Sequence, residues 1–66
     1  MNIGLLKGII RSLEYSSDNI DEVLRLENNN LNHENEKRLN NSLINLHATR
    51  NILTSIVNEY ENKSLK

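Results

Sequence analysis

The sequence predicts an all-α protein, an antiparallel two-helix hairpin that dimerises into a four-helix bundle. Three observations carry this. From Ile3, the residues Leu6, Ile10, Leu13, Ser17, Ile20 and Leu24 follow at alternating steps of three and four. A second run, Leu39, Leu43, Leu46, Arg50, Leu53, Val57 and Tyr60, has the same spacing. Between them lies an asparagine-rich break, Asn28-Asn29-Asn30-Leu31-Asn32. Heptad spacing keeps a stripe on one side of a helix, and a short polar break lets the two stripes fold onto each other.

The first helix is expected over about 3–27. Leu5, Leu6, Ile9, Ile10, Leu13, Ser16, Ser17, Ile20, Val23 and Leu24 gather on one side, an apolar arc wider than a two-stranded zipper seam requires and suited to a bundle. Lys7, Arg11, Glu14, Asp18, Glu22 and Arg25 form the opposite, solvated side, with Asp21 and Arg25 spaced to pair. Residues 16–19, Ser-Ser-Asp-Asn, prefer caps to helix interiors, and Asn19 with Glu22 has the spacing of a capping pair. The heptad phase nevertheless runs through them unbroken, which favours one continuous helix.

The turn is expected at about 28–32. Asparagine accepts the left-handed conformation that ends helices and caps the helix that follows, so neither glycine nor proline is needed. The second helix then runs over about 33–62, with Glu34 and Glu36 opposing its positive end, and residues 63–66 form a frayed tail. Folding the arms about Asn30 sets Ser17 against Leu43, Leu13 against Leu46 or His47, and Leu6 against Leu53. The same register brings Glu22 near Arg38 and Lys7 near Glu59 and Glu61, so apolar and charged pairings agree.

One domain of 66 residues built from two helices has a thin core. Each large aliphatic side chain buried stabilises by roughly 1.5–3 kcal/mol, against about 1.5 kcal/mol for ordering each residue. Cysteine is absent, and two histidines offer no ligand cluster, so neither a disulfide nor a structural metal is expected and no cofactor is implied. Self-association remains, through Leu6, Ile10, Leu13, Ile20, Leu24, Leu39, Leu43, Leu46, Leu53, Val57 and Tyr60. The second helix carries a further apolar row, Ile44, Ala48, Ile52 and Ile56, that serves the dimer or a different protein. Arg50 falls on a stripe position, where a charge either snorkels to the edge or selects register, with Glu14 the nearest candidate partner.

Catalysis is not expected. His33-Glu34-Asn35-Glu36-Lys37 matches a zinc-protease pattern until lysine stands in place of the second histidine. His47 borders the core stripe, the serines lack a paired base, and there is no glycine-rich phosphate loop. Gly4 and Gly8, four apart, either allow close helix approach or only weaken the first helix.

The net charge of −1 shows no basic excess for a nucleic-acid surface, and no run is long enough to span a membrane. The N-terminal apolar stretch carries Lys7 and Arg11 within it, the wrong order for a secretory signal, so a cytoplasmic protein is expected. Thirteen asparagines, frequent isoleucine and lysine, and no proline suit an AT-rich genome such as that of a low-GC bacterium, its phages or its plasmids.

The leading expectation is therefore a non-enzymatic homodimer that binds and modulates a larger host or viral protein as a regulator or inhibitor. In size and layout the chain is similar to the plasmid-encoded Rop type of RNA-binding hairpin dimer, a likeness that no residue motif accompanies. The alternative it implies is a nucleic-acid-binding dimer using Lys7, Arg11, Arg25, Lys37 and Arg38. A third reading lays residues 1–13 on a membrane surface.

Overall fold

In a computed structural model, which describes residues 1–64 (for Ser64 the backbone alone), the chain forms two helices: α1, Ile3–Leu26, and α2, His33–Ser64. They pack against each other as a hairpin with Cα extents of 53 × 15 × 14 Å.

Each helix starts on an asparagine. The Asn2 side chain accepts from the Leu5 amide at 3.0 Å, and the Asn32 side chain accepts from the Asn35 amide at 2.7 Å. Each cap occupies an otherwise orphaned N–H of the first turn. Glu34 and Glu36 lie in the first turn of α2, where carboxylates oppose the helix dipole, whereas the first turn of α1 holds no acid.

α1 runs unbroken through the cap-preferring residues 16–19. Ser17 donates its hydroxyl to the Leu13 carbonyl at 2.8 Å, so its polar group is satisfied inside its own helix. With that group answered, the small side chain sits in the seam and is only 3% exposed.

The connection departs from expectation. No non-glycine residue among those described has a positive φ, so the left-handed asparagine cap is not used. Instead, the Glu27 carbonyl accepts from both the Asn30 and Leu31 amides, at 2.9 and 3.0 Å, and its carboxylate accepts from the Asn30 side chain at 2.7 Å. Glu27 is the cap, one residue before the expected turn, and the chain reverses through a tightened right-handed turn. The far end of α2 also differs: Lys63 and Ser64 are helical where a frayed tail was expected, while residues 65–66 of that tail lie outside the described residues.

The seam between the helices is narrow. Leu43, Val57 and Ser17 are buried, while Leu6, Ile10, Leu13, Ile20, Leu24, Leu39, Leu46 and Leu53 are half-buried. Tyr60, at the end of the α2 stripe, is exposed instead, with the Lys63 ammonium 5.7 Å from its ring centre.

Candidate interaction surface

Heptad spacing turns one stripe of each helix inward, and everything beyond that stripe is left to solvent. Leu43 and Ile44 show the division: adjacent in sequence, the first is buried and the second is 65% exposed. Ile52, two turns further on, is 61% exposed; Ala48 between them is exposed and Ile56 is half-buried. The four-residue steps that align these side chains hold on α2, so Ile44, Ala48 and Ile52 form an uncovered row. Between Leu39 and Asn58, Arg50 is the only formally charged residue, which leaves the row in a nearly charge-free stretch.

α1 carries a second such face. At 100° per residue its charged side chains, from Lys7 to Arg25, all fall within roughly a 100° arc. Between that arc and the seam lie Leu5, Ile9, Ser12, Ser16 and Val23. Leu5 is 63% exposed, and Ile9 and Val23 are also exposed. A shallow groove of about 470 Å³ runs along this face beside Gly4 and Gly8. Sequence reasoning placed Leu5, Ile9 and Val23 in one broad inward arc. The tertiary structure divides that arc, because the single neighbouring helix covers only the side that carries Leu6, Ile10, Leu13, Ser17, Ile20 and Leu24.

Arg50 is half-buried in the seam. Its terminal nitrogen donates to the side chain of the adjacent Asn51 at 3.2 Å, and its buried Nε has no partner. Glu14, the partner considered from sequence, does not take that role. Two further expected ion pairs are replaced by local contacts. Arg25 approaches Glu22 at 3.9 Å instead of Asp21, and Arg38 donates to Asn35 at 3.4 Å instead of approaching Glu22. Lys7, in contrast, reaches Glu61 at 3.1 Å, as the register required.

The basic residues do not converge. Lys7 and Arg11 lie toward the open end of the hairpin, Arg25, Lys37 and Arg38 toward the turn, and Glu14, Asp18 and Asp21 stand between them on α1. Among the described residues, no cluster of three His, Cys, Asp or Glu side chains is placed to hold a metal. His33 and His47 are both exposed. No described helix is long and apolar enough to cross a membrane.

Compared with protein-family models, curated proteins and solved structures, the chain matches none.

Proposed function

We propose that this chain is a non-enzymatic interaction protein that self-associates as a four-helix bundle and binds and modulates a larger protein. The observation that carries the reading is the uncovered isoleucine row of α2. Ile44 and Ile52 expose most of their surface in a stretch with almost no charge. A contiguous apolar strip left in water favours association, since covering it recovers the hydrophobic free energy that the hairpin leaves unused. Helix-in-groove or helix-on-helix recognition reads such rows at four-residue spacing. The asparagine-rich composition and small size suit a cytoplasmic regulator or inhibitor encoded by a phage or plasmid.

The test is light scattering on the purified chain, followed by tagged capture from the native host with Ile44→Ser/Ile52→Ser as control. A dimer mass is expected, together with one captured protein that the variant fails to retain while circular dichroism shows unchanged helicity. A helical monomer at every concentration, with nothing captured that depends on the row, would overturn the reading.

A further inference from the structure

The uncovered row of α2 has the same character read from either end. Ile44 and Ile52 stand four residues to either side of Ala48, Asn41 and Ser55 seven to either side, and Lys37 and Glu59 eleven to either side. At 100° per residue all of them point within about 40° of the Ala48 direction, which is turned about 180° from the seam residues Leu39 and Val57. Every one of these side chains is exposed in the hairpin.

We propose that this row seats α2 of a second copy of the chain, antiparallel, about a two-fold axis through Ala48. The proposal rests on the self-association in the reading above and names its contact. It places the two α2 helices side by side at the centre, with an α1 on each outer flank.

Symmetry points to a second copy as the occupant. A different protein places no requirement on the row to match its own reverse, whereas a two-fold axis sets each residue opposite the one equally far beyond Ala48 in the partner. Ile44 then meets the partner's Ile52, and Asn41 meets the partner's Ser55, each pair formed twice. Ala48 meets its own counterpart, so the smallest side chain of the row lies on the axis, where it lets the two backbones approach.

Charge selects the direction. Antiparallel docking sets Lys37 opposite the partner's Glu59 at both ends of the contact, and parallel docking would set lysine on lysine and glutamate on glutamate. These two charges belong to the row itself, about 20° to either side of the Ala48 direction. Glu59 also holds Lys63 of its own helix at 3.4 Å through Oε1, but its side chain is 62% exposed, so the carboxylate stays accessible. Glu34, the other acid on this face, falls opposite the neutral Asn62 of the partner subunit.

The chain contains no cysteine, so single introduced thiols report the register directly. The experiment oxidises Ala48→Cys, Asn41→Cys and Ser55→Cys in native buffer and reads covalent dimers on a non-reducing gel, with circular dichroism verifying helicity. Ala48→Cys should cross-link with itself at least about tenfold faster than either other variant alone, because only a residue on the axis faces its own counterpart. An equimolar mixture of Asn41→Cys and Ser55→Cys should cross-link as the mixed pair. In sedimentation equilibrium the parent should be a dimer, and Ala48→Glu should weaken it by at least about tenfold by setting two carboxylates together on the axis. Self-cross-linking of Asn41→Cys and Ser55→Cys as fast as that of Ala48→Cys would overturn the antiparallel arrangement. A dimer that survives Ala48→Glu, with no thiol cross-linking, would overturn this interface while leaving self-association intact. A parent monomeric at every concentration would overturn both, and a monomer whose Ala48→Cys thiol is shielded by a captured protein would assign the row to that protein.

Discussion

Lys7 and Glu61, 54 positions apart in the chain, form an ion pair of 3.1 Å that ties the beginning of α1 to the end of α2. Helical side chains lean toward their own N-terminus, so in an antiparallel pair a residue near the start of one helix and a residue near the end of the other lean toward each other. Each charge is also unfavourable for its own helix, a cation near the positive end of α1 and an anion near the negative end of α2, and each answers the other.

Both side chains are about half exposed, so the pair is a modest contributor. Lys7→Glu and Glu61→Lys should each set like charges together across the pair, and Lys7→Glu/Glu61→Lys should bring the melting temperature back to the parent's or above it, because each charge then also suits its own helix end. The coupling measured by this cycle is expected at about 0.2–1 kcal/mol in dilute buffer. It should shrink toward zero in about 1 M salt, where charges are screened within about 3 Å.

Ser17 has a steric role in the seam. Ser17→Ala keeps the small volume and removes a hydroxyl bonded only within its helix, so stability should change by no more than about 0.5 kcal/mol. Ser17→Leu, which restores an aliphatic residue to the heptad, should instead cost about 1–3 kcal/mol through overpacking. Chemical denaturation of the two variants distinguishes this role from a hydrogen-bonding one.

The asparagines are not equivalent. Asn2→Ala and Asn32→Ala each remove a cap and should cost roughly 0.5–2 kcal/mol. Asn41→Ala, at an exposed position within α2, should be neutral or stabilising, because alanine is the better helix former. Urea unfolding followed by far-ultraviolet circular dichroism gives the three values.

Arg50 holds a buried Nε with no partner, and its guanidinium is answered only by its chain neighbour. Arg50→Met keeps the length of the stem and removes the unsatisfied nitrogen, so it should raise stability by up to about 1 kcal/mol. The same variant tests whether the arginine restricts association. If it does, light scattering will show a larger or mixed mass for Arg50→Met under conditions where the parent gives a single species.

Much of the architecture was legible because it depends on local period. The spacing from Ile3 to Leu24 and from Leu39 to Val57 requires no knowledge of neighbours to define two stripes, and the break at 28–32 requires none to separate two helices. The proximity of Lys7 to Glu61 followed from the same arithmetic once the chain was folded back. The turn was less legible. Asparagine permits a left-handed residue without demanding one, and the hydrogen bonds to Glu27 decided against it.

The chain by itself determined that there are two amphipathic helices, where they start and approximately where they stop, since capping chemistry and periodicity act over a few residues. Tertiary structure alone decided which part of each broad apolar arc is covered. It placed Ser17 deeper than any described leucine, left Leu5 and Ile9 in water beside the half-buried Leu6 and Ile10, and left Arg50 in the seam without a carboxylate. The reason is geometric: direction around a helix is set by position in the chain, whereas burial is set by how many neighbours arrive, and one helix brings too few to enclose another.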